Sequence, residues 1–134
     1  MSIQCGEIPE TKRAAHAAKL FGARFIYIES FVFDTASTLS PDYDGGLWSF
    51  HGLCNGGFYM VPTEQKTFRV QCANGFEGVL SAEAFGIACC LYAYSLLSFS
   101  PDEEFAGLCG EQFHELREYM VEHKEAASIL AATD

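Results

Sequence analysis

Two Asn-Gly pairs, at positions 55–56 and 74–75, are the feature that most restricts the fold of this 134-residue sequence. The first pair separates the apolar segments "GLWSFHGLC" and "GFYMVP", and the second separates "TFRVQCA" and "FEGVL". An Asn-Gly pair between such segments is the strongest short-range signal for a β-hairpin, because both residues tolerate the backbone angles of tight turns. The sequence therefore predicts two antiparallel hairpins.

A two-residue turn at Asn55-Gly56 fixes the pairing of the first hairpin. It pairs Leu53 with Phe58, Gly52 with Tyr59, His51 with Met60 and Phe50 with Val61. In this register the ring of Tyr59 covers the bare backbone of Gly52, an arrangement that stabilises glycine in sheets. Gly57 leaves a three-residue turn open as an alternative, and that turn would change the register.

The second hairpin extends the predicted sheet to four strands. The same turn at 74–75 places Val70 opposite Val79 and Cys72 opposite Glu77. The strands of the resulting antiparallel meander lie at about 47–54, 57–62, 67–73 and 76–80. Because both faces of the first hairpin carry large apolar groups, we expect helices to cover one face and part of the other.

Helical patterns flank the predicted meander on both sides. Residues 10–22 indicate a short helix that ends at Gly22. Residues 23–38 are apolar nearly all round, as in a buried helix, although their β-branched and aromatic content leaves a strand open. After the meander, Ser81 is a suitable N-cap for a helix at 82–98.

The segment "SPDE" is a further helix start, with Ser100 as the cap and a proline at the first helical position. We expect Gly107 and Gly110 to interrupt this helix. A last helical region is expected from about Glu111 into "AASILAAT". The order of helices, meander and helices predicts an α+β fold. The length suits a single domain over residues 1–134, with about four to six helices around a four-stranded meander.

Acidic residues outnumber basic ones, with 18 Asp and Glu against 8 Lys and Arg, so the formal net charge is −10. This balance argues against nonspecific nucleic-acid binding, which depends on Lys and Arg that neutralise phosphates. It argues equally against binding to an anionic membrane surface. The longest uncharged run, at 84–101, reaches the lower length limit of a membrane span, but its Ser, Gly and Tyr content favours a buried helix.

The N-terminal sequence lacks the basic and apolar regions of an export signal. The six cysteines form no Cys-X-X-Cys pair, so we expect free thiols in a reducing cytoplasm. His51 and Cys54 project from opposite faces of a strand and cannot share one ion, so we expect neither a metal nor another cofactor. A catalytic role for Cys54 is also disfavoured, because the cations that activate a thiol are scarce around it.

Five glutamates recur at spacings of 4, 3, 4 and 3 and predict an acidic stripe along the last helix. They are Glu111, Glu115, Glu118, Glu122 and Glu125. Fifteen helical residues span about 22 Å, over which duplex DNA carries roughly 13 charges. Five carboxylates are too sparse to imitate DNA closely, so we interpret the stripe as a solvated face. Half of the basic residues lie within the first 24 positions, and this asymmetry of charge could steer a protein partner.

Three blocks of the sequence resemble the signature blocks of the ArdB/KlcA antirestriction proteins, which plasmids, phages and genomic islands of bacteria carry. They are "GGLWSFHGLCNGGFYMVP" (45–62), "NGFEGVLSAEAFGI" (74–87) and "LREYMVEHKEAASILAATD" (116–134). The resemblance covers roughly residues 20–134. It implies a small antiparallel sheet packed with helices, relief of host type I DNA restriction, and neither enzymatic activity nor catalytic residues. Lys124 stands where the family favours Pro and Thr133 where an aliphatic residue is expected, so a break after His123 stays open.

The leading hypothesis is an antirestriction protein of the bacterial cytoplasm that contacts a protein partner, with the host type I restriction–modification complex as the candidate. We expect neither direct binding to nucleic acid nor association with a membrane. The candidate contact residues lie in the "SPDYDGG" loop, the first hairpin and the last helix, and are Asp42, Asp44, Trp48, Asn55, Tyr59, Glu111, Glu115, Glu118 and Glu122. An acidic DNA mimic that inhibits a DNA-binding protein is the alternative, and a small thiol-dependent enzyme is a weaker one.

Overall fold

The computed structural model describes residues 2–134, which form an α+β fold as the sequence predicts. The elements are, in order, β1 (Cys5–Glu7), α1 (Arg13–Phe21), α2 (Phe25–Leu39), β2 (Trp48–Leu53), β3 (Phe58–Pro62), β4 (Thr67–Gln71), β5 (Glu77–Ser81), α3 (Ala82–Leu97), α4 (Glu103–Met120) and α5 (Ala126–Thr133). Short 3-10 turns at Glu10–Lys12 and Gly22–Arg24 lead into α1 and α2. Within residues 2–134, none of the helices combines the length and the hydrophobicity that a bilayer crossing requires.

Helix α3 lies at the centre of the molecule and is buried on nearly every side. Helices α2, α4 and α5 and strand β3 all pack against it. Its N-cap is Ser81, whose hydroxyl accepts a hydrogen bond from the Ala84 amide at 3.1 Å, as the sequence predicts. At Gly86 a Cβ atom would overlap the Met60 carbonyl oxygen of β3, so this close approach of helix to strand requires glycine.

The strands form two separate sheets, so the prediction of one four-stranded meander is wrong. Strands β1, β2 and β3 form one antiparallel sheet, and within the described part of the chain β4 pairs only with β5. The outer edge of β3 is occupied by side chains of α3. The Tyr94 hydroxyl donates to the Phe58 carbonyl at 2.7 Å, and the Met60 amide lies 3.4 Å from the Cys90 sulfur. Side chains of α3 therefore bond the backbone groups of β3 that β4 would need for pairing. Strand β1, which the sequence does not predict, pairs with β2 on the other side of the sheet.

Both hairpins turn through three residues, so their predicted registers are wrong by one position. In the first, the Gly56 amide donates to the Leu53 carbonyl, and Gly56 has a φ of 97° that glycine adopts without strain. The observed pairs are Gly52 with Phe58, His51 with Tyr59, Phe50 with Met60, Ser49 with Val61 and Trp48 with Pro62. His16 and Ile8, and not Tyr59, cover the backbone of Gly52. This is the alternative turn that the sequence leaves open.

The second hairpin repeats this geometry at Gly75, whose φ is also 97°. The Gly75 amide donates to the Cys72 carbonyl at 3.0 Å. Val70 consequently faces Gly78 instead of Val79, and Glu77 faces Gln71 instead of Cys72. A type I turn followed by glycine at positive φ produces this bulged hairpin, and two-residue and three-residue turns share the same Asn-Gly signal.

Helices α1 and α2 confirm the helical predictions for the N-terminal third. Helix α1 ends at Phe21, and Gly22, whose φ is 62°, is its C-cap. The 23–38 segment is a helix and not a strand, but it is not buried all round. One face is buried, whereas Ile26, Tyr27 and Phe31 are 62%, 57% and 38% exposed. Helix α2 therefore carries more large apolar side chains than the core buries.

Helix α4 differs from its prediction at both ends. Its N-cap is Asp102, which accepts from the Phe105 amide at 3.2 Å, whereas the predicted cap Ser100 lies before the helix and accepts from the Asp102 amide. Gly107 and Gly110 lie inside a continuous helix, so the predicted interruption is wrong. The helix ends at Met120, and a turn separates it from α5. The break is therefore present despite Lys124.

Two glycine substitutions test the role of close packing at α3. Gly86→Ala places a methyl group against the β3 backbone, and we expect it to lower the free energy of unfolding by about 2 kcal/mol or more. Gly107→Ala is the matched control, because nothing lies within 4 Å of the added methyl group on α4. We expect the control to raise stability by roughly 0.5–1 kcal/mol through helix propensity. Urea unfolding measures both, and equal effects of the two changes would contradict the packing argument.

Candidate functional site

The loop between α2 and β2 is fixed to β4 by Asp42. The Asp42 carboxylate accepts from the Arg69 amide at 2.9 Å and from the Arg69 guanidinium Nε at 3.0 Å. These hydrogen bonds lower the pKa of Asp42 to about 2. The Asp42 carbonyl also accepts from the Gln65 side chain at 2.9 Å. Asp42 thus organises the loop, and the neighbouring Asp44 is exposed on its surface.

Trp48 and Tyr59, two of the predicted contact residues, are core side chains. Trp48 is 4% exposed, and its indole nitrogen donates to the Tyr43 hydroxyl at 3.1 Å. Tyr59 is fully buried, and its ring stacks on His51 and on Tyr119 with centroids 5.0 Å and 5.8 Å apart. Burial raises the pKa of Tyr59 above its ordinary value. In this conformation neither side chain lies where a partner can reach it.

Asn55 connects the first hairpin to helix α4. Its side-chain oxygen accepts from the Gly57 amide at 3.0 Å, and its side-chain nitrogen donates to the Glu115 carbonyl at 2.9 Å. The Gln112 side chain donates in return to the Gly56 carbonyl at 3.0 Å. The tip of the hairpin and the middle of α4 are therefore joined by two hydrogen bonds in opposite directions.

Asn74 makes the equivalent connection between the second hairpin and helix α5. Its oxygen accepts from the Phe76 amide at 3.0 Å, and its nitrogen donates to the Ala131 carbonyl at 2.9 Å. Near a helix C-terminus, carbonyl groups lack partners within the helix, so this donor satisfies a group that would otherwise be unpaired. The recurrence of Asn at the same turn position indicates the turns in the sequence, but no sequence signal indicates that each side chain also reaches a helix.

The five glutamates do not form one helical stripe, so that prediction is wrong. Glu111, Glu115 and Glu118 lie on α4, Glu122 lies in the turn after it, and Glu125 precedes α5. Glu111, Glu118 and Glu122 are exposed. Glu125 instead faces the molecule, where it accepts from the Ser81 amide at 3.0 Å. The exposed carboxylates are therefore fewer and less regular than an imitation of DNA phosphates requires.

Glu115 lies against the first hairpin and is only partly exposed. Its side-chain oxygens are the nearest atoms to the Cβ position of Gly56. Partial burial raises the pKa of Glu115, and the carboxylates of Glu111 and Glu118 raise it further. A carboxylate in this position weakens the fold when it is ionised, because desolvation and repulsion both oppose its charge.

A thiol and an imidazole approach each other on the face of the first sheet that carries Tyr59. Cys5 Sγ lies 4.0 Å from His51 Nδ1 and 3.2 Å from the Tyr59 hydroxyl. The other ring nitrogen of His51 lies 2.8 Å from the Ser49 hydroxyl, and burial lowers the pKa of His51. Cys54, the cysteine considered from the sequence, is not part of this group, since its sulfur accepts from the Gln4 amide. A cavity of about 410 Å³ nearby is lined by other residues, Tyr119 among them.

The remaining cysteines are buried thiols, and no group of three or more metal-ligating side chains is found within residues 2–134. Burial raises the pKa of Cys90 to about 12 and that of Cys109 to about 11. It also raises the pKa of Cys72 and Cys89. These four thiols therefore resist ionisation and act as small core side chains.

Comparison with known proteins gives consistent results over nearly the whole chain. A sequence model of antirestriction proteins matches residues 41–134. The antirestriction protein KlcA of Escherichia coli is 36% identical over 98% of this chain and 94% of its own length. The uncharacterised protein YafX of Escherichia coli K12 is 35% identical over 95% of this chain and 85% of its own length.

A solved structure from work on KlcA and ArdB matches this fold with a TM-score of 0.91 and 30% sequence identity. The match covers 100% of this chain and 96% of the other. The KlcA and ArdB proteins are described as having a novel fold, and as showing antirestriction activity against type I DNA restriction systems in vivo but not in vitro.

The raised pKa of Glu115 leads to a test by substitution. In the unfolded chain this carboxyl ionises at its ordinary, lower pKa, so its contribution to stability is full below that value and is lost as pH rises through the higher pKa of the folded state. We expect Glu115→Gln to raise the urea midpoint of unfolding at pH 7.5. Near pH 3.5 the variant should lose this advantage, because Glu115 is then protonated in both the folded and the unfolded chain. Glu64→Gln, at an exposed carboxylate, is the control with the same change of charge. An advantage of Glu115→Gln that persisted unchanged at low pH would contradict the assignment.

Proposed function

The chain belongs to the antirestriction protein family, and from that membership we propose that it relieves type I restriction of incoming DNA through contact with a protein in the host cell. The likeness to KlcA and ArdB over the full chain is the observation that carries this proposal. Because restriction acts on DNA inside the cell, we place this activity in the bacterial cytoplasm. The proposed partner is the host type I restriction–modification complex.

Contact with a protein fits the charges of this chain better than contact with DNA. The net charge of −10 opposes binding to phosphates, and half of the basic residues lie within the first 24 positions. Arg69 and Arg117 are further paired with Asp42 and Asp134. The irregular spacing of the exposed glutamates also favours protein contact over mimicry of a DNA duplex.

The predicted contact residues divide into two groups by exposure. We propose that Asp44, Glu111, Glu118 and Glu122, which are exposed, are available to the partner. We propose that Asp42, Trp48, Asn55 and Tyr59 act indirectly, because their side chains hold the loop and the hairpin in place. Glu115 acts indirectly through its backbone carbonyl, which accepts from the Asn55 side chain. Substitution of Asp42, Trp48, Asn55 or Tyr59 would then reduce activity together with stability, whereas substitution of the exposed group would reduce activity alone.

Restriction of unmodified phage in living cells tests the proposed function. We expect expression of this protein in a host with a type I system to raise the plating efficiency of unmodified phage toward that of modified phage. A host that lacks the restriction system is the control, and there the protein should change nothing. Unchanged restriction at an expression level confirmed by immunoblotting would rule the proposal out.

The Cys5 thiol provides a test of the absence of enzymatic activity, which we propose as part of the function. A thiol nucleophile assisted by His51 would require the sulfur, because serine is a much weaker nucleophile without a matched base. We expect Cys5→Ser and His51→Gln to keep full protection in the plating assay and a cooperative unfolding transition. Loss of protection by both folded variants, with retention by the control Cys54→Ser, would instead indicate thiol chemistry.

A further inference from the structure

Four large apolar side chains form an exposed strip along one side of the helices. They are Tyr27 and Phe31 on α2, Leu96 near the end of α3, and Phe99 just beyond it, and their exposed fractions are 57%, 38%, 55% and 84%. We call this set the apolar strip. Clustered exposed apolar side chains mark interaction sites in soluble proteins, whereas single ones are common and uninformative.

A groove bordered by α2, α3 and residues Gln71 and Ala73 of the second hairpin lies beside the strip. Phe31 and Leu96 line the groove from opposite sides, Tyr92 contributes to its wall, and it encloses about 300 Å³. The ring of Tyr27, near the start of α2, packs edge-on against Phe105 at the start of α4, with centroids 6.1 Å apart. Since α4 follows α3, the start of α2 lies near the end of α3. The two helices therefore run antiparallel. An apolar groove between two helices is a shape that accepts a third helix.

The charges on the helices of the groove are all negative. Neither α2 nor α3 contains Lys or Arg. Asp34 lines the groove itself, and residues 102–104, which follow the strip, are all acidic. Arg24, just before α2, is held by Asp102 at 3.0 Å and by Glu104 at 3.3 Å. A segment that complements this surface carries Lys or Arg beside its apolar side chains.

We propose that the apolar strip binds an amphipathic helix of the partner protein, with Lys or Arg at the edges of its apolar face. The identity of that partner rests on the proposed function. Proteins that act on DNA carry Lys and Arg that neutralise phosphates, so such a helix suits a component of a restriction complex. In the complex the apolar face covers Phe31 and Leu96, and the basic side chains lie against Asp34 and residues 102–104.

A second copy of this chain fits the strip less well than a basic helix does. Two chains with a net charge of −10 repel each other. Pairing of two strips would also place Asp34 of one copy near the same acidic groups of the other. Analytical ultracentrifugation is therefore expected to show a monomer, and a dimer that dissociates on substitution of the strip would overturn the proposal.

A synthetic peptide tests binding to the strip directly. The probe is a fluorescently labelled helical peptide of Leu and Lys in an amphipathic pattern, and fluorescence anisotropy measures its binding to the purified protein. We expect Leu96→Ser/Phe99→Ser to weaken binding about tenfold or more, because two apolar side chains are no longer buried. The matched control is Leu47→Ser/Val79→Ser, at residues 68% and 62% exposed outside the strip, which should bind like wild type. Equal binding by the two double variants overturns the proposal.

Charge reversal distinguishes binding of the peptide at the apolar strip from a general attraction of the basic peptide to a negatively charged protein. Asp34→Lys and Glu10→Lys change the net charge equally, but only Asp34 lines the groove, whereas Glu10 is exposed before α1. At low salt we expect Asp34→Lys to weaken peptide binding more than Glu10→Lys does, and added salt should reduce the difference. Equal losses from the two reversals would show that the peptide responds only to net charge.

The same variants in the phage plating assay connect the strip to the proposed function. We expect Leu96→Ser/Phe99→Ser to lose protection while Leu47→Ser/Val79→Ser keeps it, with both variants expressed and folded. If wild type protects and the strip variant protects equally, the strip is not the partner site although the proposed function stands. If wild type gives no protection, the proposed function fails, and the peptide measurements decide by themselves whether the strip binds a basic helix.

Discussion

The close approach of helix α3 to strand β3 is the constraint on which the rest of the fold depends. Gly86 lets the helix backbone reach the Met60 carbonyl, and Tyr94 then reaches the Phe58 carbonyl on the open edge of β3. Because this edge is occupied, the second hairpin forms its own sheet. Helices α2, α4 and α5 pack on the remaining sides of α3. The contact at Gly86 thereby joins the first sheet to the helix against which three other helices pack.

The two Asn-Gly turns complete this arrangement at the periphery of the core. Each asparagine uses its oxygen to close its own turn and its nitrogen to reach a helix carbonyl, on α4 for Asn55 and on α5 for Asn74. The first signature block of the sequence is therefore explained to a large extent by folding. We propose that a partner is recognised outside that block, at exposed side chains of the loop after α2, of helices α2, α3 and α4, and of the turn after α4.

Local signals in the sequence were sufficient for α1, α3 and the existence of both hairpins, but not for α4, whose N-cap and continuity through Gly107 and Gly110 differ from the prediction. The cap at Ser81 and the glycine after α1 act within one turn of chain, so they are readable without tertiary structure. Three features depend on contacts between distant segments, so no local pattern encodes them. They are the separation of the strands into two sheets, strand β1 and the exposed face of α2. The register was ambiguous for a local reason, since Gly57 and Gly56 permit turns of either length. Glu115 was identified as acidic, but its placement against a hairpin tip required the fold.

The unequal burial of the six cysteines has a practical consequence for spectroscopy. Cys5 and Cys54 are exposed, whereas the other four thiols are enclosed by the core and resist ionisation. Thiolates add to the double bond of maleimide reagents, so a fluorophore or a spin label attaches selectively at the two exposed cysteines. One label would report on the first strand and the other on the tip of the first hairpin, without removal of any core sulfur atom.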